Sequence, residues 1–254
     1  MADPGQVRVH DEAGVRRVTI DRPERRNALT EAMYVALAEA LEGAAATDAA
    51  RVVLLGASGE SFCAGNDLGD FLERADPDGA PLAADSPQGR LLHALAARRR
   101  PLVVAVDGAA IGIGFTALLH ADLVVATPRA VFGAPFAQLG LCPEAGSSQL
   151  LPALVGRPLA LEIFLLGRRL DAEEARAAGL VNRLVPPEEL DAAASACAAA
   201  LAALPPRAVR ETRRLVDRPP EAIGARIDRE LEAFSGCLGE ADARARIGAL
   251  LGRG

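Results

Sequence analysis

Short apolar runs recur through the first two thirds of the chain, and most are followed by a stretch of helical character. Val15 to Ile20 alternates with β-branched residues. Arg51 to Ala57, Leu102 to Val106 and Asp122 to Ala126 are nearly uninterrupted by polar groups. Runs this short and this apolar read as strands covered on both faces, the pattern of a parallel sheet. Asp21, Arg22 and Pro23 stop the first run. Thr30 is placed to N-cap a helix reaching about Gly43, with Met33, Leu37 and Leu41 on one face. Further helices are expected over 64–74, ahead of Arg98–Arg100, and from Gly112 to His120. The stretch Ala75 to Gly89 is rich in Asp, Pro and Gly and is predicted to be a mobile loop. The fold class is α/β with a mostly parallel sheet.

After about Pro158 the pattern changes, and only helical periods are visible. They cover Pro158–Leu166, Ala172–Ala178, Pro187–Leu204, Pro206–Val216, Glu221–Ser235 and Glu240–Leu251. The expected organisation is a core over residues 1–190 and a helical region over 191–254. The helices after Pro187 carry more apolar surface than a peripheral helix needs, so they are expected to bind further copies of the chain.

Composition removes several functions. With 254 residues, 50% of them hydrophobic, the chain can build one sizeable core. The formal net charge of -6 argues against nucleic acid as a partner, because phosphate binding needs a basic face. Every basic residue is arginine, which excludes a lysine base, a Schiff-base lysine and a P-loop lysine. The four cysteines, Cys63, Cys142, Cys197 and Cys237, have no metal-motif or CxxC spacing. They read as buried thiols in a reduced, cytoplasmic setting, and no metal site is expected. Residues 1–14 contain no apolar signal core, and no run of 18 apolar residues suggests a membrane span.

Three segments concentrate chemistry. The first runs from Ala57 to Leu68, a strand leading through a small-residue turn into a helix, with Ala64 and Gly65 letting a ligand approach backbone N–H groups. Taken alone it is equally an ordinary β–α turn. The second runs from Val106 to Ala117. Gly112-Ile-Gly-Phe-Thr-Ala117 formally matches the dinucleotide fingerprint. However, the glycines start several residues after the strand, and no acidic residue closes the next one. Two such turns side by side suggest instead two N–H groups converging on one developing oxyanion. The third runs from Phe132 to Ser148. Glu144 is the only carboxylate between Asp122 and Glu162. An isolated carboxyl in apolar surroundings has a raised pKa and suits a general base near neutral pH. A first-turn helix glutamate answering the helix dipole is the plainer reading.

These segments, in this order, resemble the crotonase (enoyl-CoA hydratase/isomerase) superfamily over nearly the whole chain. Asp21-Arg-Pro-Glu-Arg-Arg-Asn-Ala-Leu29 is similar to the family's R-P-x-x-x-N-A-L motif. Leu166-Gly-Arg-Arg-Leu-Asp-Ala-Glu-Glu-Ala175 and Ala178-Gly-Leu-Val-Asn182 resemble its later section. The resemblance implies a spiral of ββα units followed by helices that build homotrimers, often hexamers. It implies an acyl-CoA thioester substrate, with coenzyme A entering as part of that substrate and no separate cofactor. It assigns the oxyanion hole to the N–H groups of Ala64 and Ile113, with Gly65, Asn66, Asp67 and Leu68 lining the pantetheine and thioester. Ala28, Phe71 and Gly112 complete that lining, and Arg25 or Arg26 in the first loop would meet a CoA phosphate.

The two glutamates of the family's hydratases fall here on Thr116 and Phe136, neither of which can act as a base. Pro143-Glu-Ala-Gly-Ser-Ser148 and Gly65-Asn-Asp-Leu-x-x-Phe71 look like the peroxisomal-type Δ3-Δ2-enoyl-CoA isomerases, in which a glutamate at the Glu144 position is the base. The resemblance therefore implies double-bond isomerisation in fatty-acid metabolism. The hydratase (lyase) reaction and a non-catalytic CoA-binding role are the alternatives. The histidines show no triad pattern, Asp67 is read as shaping its turn, and Arg98–Arg100 as a solvated face.

Overall fold

The computed structural model describes residues 5–70, 83–217, 223–238, 241 and 246. Phe71, the stretch 75–82 of the expected loop and nearly all of Glu240–Leu251 lie outside these residues. The chain forms two compact units, Met1–Ala199 and Ala200–Gly254.

The first unit is built on a six-stranded sheet. Its strands are β1 (Gln6–Glu12), β2 (Val15–Asp21), β3 (Val52–Ala57), β4 (Leu102–Val106), β6 (Leu123–Ala126) and β9 (Arg183–Leu184), in the order β1-β2-β3-β4-β6-β9. Every neighbouring pair is parallel except β1 with β2. A smaller sheet has the order β5-β7-β8, from Ala109–Ile111, Val131–Gly133 and Leu170–Asp171. The apolar runs of the sequence became β2, β3, β4 and β6. Alternate residues of β2, β3 and β4 (Val18, Ile20, Val53, Leu55, Leu102, Val104) join the main core. The helices α1 (Glu31–Ala45) and α2 (Pro87–Ala96) add Met33, Tyr34, Leu37, Leu91 and Leu95 to it.

Caps set the helix starts. Thr30 accepts from Met33 N–H at 3.4 Å, as expected from its position. Ser86 accepts from Gly89 N–H at 3.1 Å and Pro87 takes the first helical position, so α2 begins inside the expected loop and Gly89 is helical. Gly112–His120 divides into a single α-turn, α3 (Ile113–Thr116), and a 3-10 turn over Ala117–His120.

Several elements differ from the sequence reading. β1 escaped it because Gln6–Glu12 is charged and largely exposed, so no buried face shows as alternation. β8 and β9 contain two residues each, too few for any period, and both fall in the stretch read as wholly helical. Ala64–Asp67 is not helical; it holds a bridge from Leu29 to Asn66, and helix begins only at Leu68. Of the run Arg98–Arg100, read as a solvated face, only Arg99 is exposed. Arg98 pairs with Asp122 at 3.3 Å, and Arg100 donates to the carbonyls of Ala44 and Thr47 at 3.1 and 2.6 Å. The last turn of α1 is thereby supplied with donors.

The later helices of this unit are α4 (Ser147–Val155), α5 (Arg157–Leu166), α6 (Ala172–Ala177) and the start of α7 (Leu190–Ala202). Arg17 of β2 donates to Asp191 and to Ser195 Oγ, which ties α7 to the sheet and carries the unit past the boundary expected at 190. The second unit holds the end of α7, α8 (Pro206–Val216) and α9 (Ile223–Leu238).

Candidate active site

Two glycine turns are brought edge to edge. Cys63 N–H donates to Ala109 O at 2.9 Å, and Ile111 N–H donates to Cys63 O at 2.8 Å. A Cβ on Gly112 would lie 3.6 Å from Gly65 Cα, and one on Gly65 would lie 3.3 Å from Ile111 O. Both residues have positive φ, +102° at Gly65 and +58° at Gly112, so side chains are disfavoured by backbone as well as by space. Cys63 Sγ lies between the turns and accepts from Gly65 N–H at 3.5 Å. Burial pushes this thiol up to about 12, so it is a neutral packing group. Cys197 is buried like Cys63, whereas Cys142 is exposed, contrary to the expectation for all four.

The backbone donors here divide into occupied and free. Ala64 N–H donates to Arg26 O at 3.0 Å. It is already paired, so the assignment of Ala64 as an oxyanion donor is corrected. Leu29 N–H donates to Gly65 O at 2.8 Å. In a trans peptide the N–H points opposite to the C=O. The Gly65 carbonyl faces Leu29, so the Asn66 N–H faces away from it. Among the described residues the N–H groups of Asn66 and Ile113 have no partner. Ile113 opens α3, where an N–H has no acceptor within the helix. Gly112 N–H, by contrast, is paired with Gly133 O at 2.9 Å.

The first loop locks this arrangement. Asn27 is fully buried; its Oδ1 accepts from Arg22 N–H, and its Nδ2 donates to Ser58 O and Ser61 O at 2.8 and 2.6 Å. Arg22 is buried and donates to Asp67 Oδ2 at 2.7 Å and to Ala28 O at 3.1 Å. That guanidinium holds the Asp67 carboxyl below its ordinary range, so Asp67 shapes the turn as expected. Arg25, Arg26 and Leu68 are exposed, and Ala28 is half-buried.

The base side is a side chain on a tight loop. Glu144 precedes α4 and is separated from it by Ala145 and Gly146, whose φ angles are 54° and 67°. It is therefore not a first-turn helix residue. Its carbonyl accepts from Ser147 N–H at 2.9 Å and Ser147 Oγ at 2.6 Å. His120 Nε2 lies 2.8 Å from Ala145 O. A carbonyl only accepts, so Nε2 carries the hydrogen. Fully buried Thr116 donates from Oγ1 to Glu144 Oε1 at 3.1 Å. Burial pushes the Glu144 carboxyl above its ordinary value, and the Thr116 hydrogen bond partly opposes this. Ile113 and Thr116 are one turn apart, so α3 carries both a free amide and the hydroxyl that holds the carboxylate.

Phe136 is buried with its ring 6.3 Å from that of Phe164. Phe164 lines a groove of about 550 Å³ with Leu141, Cys142, Pro143 and Leu161, next to the Glu144 loop. Residue pattern alone gave no sign of the Thr116–Glu144 bond or of His120 at the loop. It also gave none of Tyr34, whose buried hydroxyl donates to Asn66 Oδ1.

Paired glycine turns with two open amides beside one enclosed carboxyl are a geometry that can receive a developing oxyanion. Residues 10–244 match the Enoyl-CoA hydratase/isomerase family, and the chain belongs to it. It is 38% identical over 200 residues to 1,2-epoxyphenylacetyl-CoA isomerase of Escherichia coli (strain K12), covering 77% of this chain and 76% of that protein. It is 34% identical over 216 residues to Enoyl-CoA delta isomerase 2 of Rattus norvegicus, covering 83% of this chain and 54% of the rat protein. A solved structure from Magnetospirillum magneticum AMB-1, named for enoyl-CoA hydratase and carnithine racemase, matches with a TM-score of 0.90. It shares 42% identity and covers 98% of this chain and 96% of that one. The fold is that of the crotonase superfamily.

Proposed function

We propose that the chain moves a double bond of an acyl-CoA thioester from C3 to C2, with Glu144 as the only proton carrier. The observation that carries this reading is a single enclosed carboxyl, Glu144, bonded to Thr116, one of the two positions where the family's hydratases have their glutamates. Glu144 takes a proton from C2. The resulting dienolate places its charge on the thioester oxygen, which accepts hydrogen bonds from Asn66 and Ile113 N–H. Glu144 then returns the proton at C4, so the atoms balance without water. One donor of this kind is worth about 3–4 kcal/mol. The raised affinity of Glu144 for protons brings the base closer to its carbon acid.

Water addition lacks support at this site, because it needs a positioned water and a second carboxylate, and Phe136 makes its position apolar. The epoxyphenylacetyl-CoA relative keeps a second substrate class open, a CoA thioester bearing oxygen near the reacting carbons. Arg25 and Arg26, exposed on the first loop, are suited to a CoA phosphate. Ile223, Ile227, Leu231 and Phe234 form an exposed apolar stripe along α9, suited to a homotrimer.

The test is kinetic. With 3-hexenoyl-CoA and crotonyl-CoA supplied separately, conjugation is expected to exceed hydration in kcat/KM by about 10²-fold or more, the usual worth of a general base. A higher kcat/KM for crotonyl-CoA hydration defeats the reading.

A further inference from the structure

We propose that Tyr34 is a positioning residue of the oxyanion hole, its hydroxyl tying down the Asn66 side-chain carbonyl so that Asn66 offers the site donors only. The proposal rests on the preceding reading of Asn66 N–H as a hole donor.

The starting point is a polar group in an expensive place. Tyr34 is the only tyrosine in the chain and is 2% exposed, on the core face of α1. Phenylalanine would fill the same space without burying a hydroxyl, and a buried hydroxyl costs free energy unless it is paired. Its partner is Asn66 Oδ1, on the residue whose backbone N–H stands open.

An asparagine side chain carries one strong acceptor and two donors. Left loose, it bonds to nearby backbone N–H groups, which is why the residue favours turns. The nearest open N–H groups here are those of the two adjoining turns, the groups that must be free to receive the thioester oxygen. An untethered Oδ1 would compete with the substrate for them. The Tyr34 bond removes the competing acceptor. The pinned first loop does not do this, because its bonds to Gly65 O and from Asp67 N–H (2.8 and 2.9 Å) hold only the backbone beside Asn66.

The phenol is suited to a fixed donor role. Burial, and then the negative charge of Glu144, push its pKa well above the ordinary phenol value. The hydroxyl stays protonated throughout the working range, so the tether does not titrate.

The experiment compares Tyr34→Phe, Asn66→Ala and the double variant in the full-length protein. Phe keeps the ring, so core packing is retained. The readouts are kcat and KM for 3-hexenoyl-CoA, and the absorption red shift of a bound conjugated aryl-acryloyl-CoA, which reports polarisation of the thioester carbonyl. Tyr34→Phe is expected to lower kcat about tenfold, the effect of one hydrogen bond, with KM nearly unchanged and a smaller red shift. Adding Asn66→Ala to Tyr34→Phe removes the competing acceptor and is expected to recover much of both losses. A merely structural tyrosine would leave the spectral shift alone, and its loss would not be repaired by a second truncation. Wild-type kcat and red shift in Tyr34→Phe overturn the proposal, as does a double variant no better than Tyr34→Phe. An absent red shift in the wild-type protein overturns the oxyanion hole itself, and the Tyr34 role with it.

Discussion

One side of the site is backbone and the other is a side chain. The proposed oxyanion side consists of two amides whose direction is fixed by bridges between Leu29 and Asn66 and between Cys63 and Ala110. Almost any side chain could occupy those two positions without changing the donor. The proposed base is one carboxyl, and a residue of another type at that position could not take the proton. Its loop is held by point contacts from Thr116, His120 and Ser147. Backbone chemistry is thus protected by topology, whereas side-chain chemistry depends on a few hydrogen bonds and on burial. Substitutions on the two sides should therefore fail in different ways.

The largest effect is expected at the base. Glu144→Gln keeps size and polarity but cannot take a proton, so kcat for double-bond shift should fall by about 10²–10⁴-fold. Acyl-CoA affinity, measured by calorimetry, should stay within a few fold of wild type. Near-wild-type turnover would remove Glu144 from the mechanism and collapse the contrast between the two sides.

On the oxyanion side the corresponding probe alters geometry, because the one substitution that deletes a backbone N–H, to proline, also fixes φ and would distort the turn. Gly65→Ala puts a methyl 3.3 Å from Ile111 O at a φ of +102°. The turn must shift and misaim Asn66 N–H. Complete loss of one such donor costs about 10²–10³ in kcat, and a misaimed one should cost about tenfold to a hundredfold. The pH dependence should keep its wild-type shape, because the base is untouched. A moved acid limb in this variant would mean that the two sides are not independent.

The same division decides what the sequence could reveal. Glu144 stood out because it is isolated among apolar residues, and the strands β2, β3, β4 and β6 because burial on both faces leaves an uninterrupted apolar run. The glycine turns were visible as turns. Which N–H each turn leaves open was not, since that depends on the pairing of Gly65 O with Leu29 and of Ala64 N–H with Arg26, partners distant in the chain. Ala64 was therefore chosen where Asn66 carries the free donor. Thr116 was legible only as a missing carboxylate; its hydroxyl meets Glu144 across 28 positions. The short strands β8 and β9 escaped because two residues define no period, and Tyr34 because a helix tyrosine among apolar neighbours reads as ordinary core.

The smallest expected effect tests whether the base side is tuned as well as built. Thr116 Oγ1 donates to Glu144 Oε1, which favours the charged carboxylate and opposes the upward push of burial. Thr116→Val keeps the shape and removes the donor. The Glu144 carboxyl should then bind its proton more tightly than in wild type. A general base works only when deprotonated, so activity rises with pH through its pKa. The acid limb of kcat/KM should accordingly move to higher pH in Thr116→Val, with neutral-pH activity lower by less than about tenfold, the worth of one hydrogen bond. Thr116→Ser restores a hydroxyl and should return the limb toward its wild-type position. At a pH well above both limbs the three proteins should converge, apart from any loss of carboxylate orientation. A Thr116→Val limb that stays in place, or moves to lower pH, would show that the hydroxyl does not set the proton affinity of Glu144. Burial alone would then tune the base, and the two sides would differ only in whether backbone or side chain supplies the chemistry.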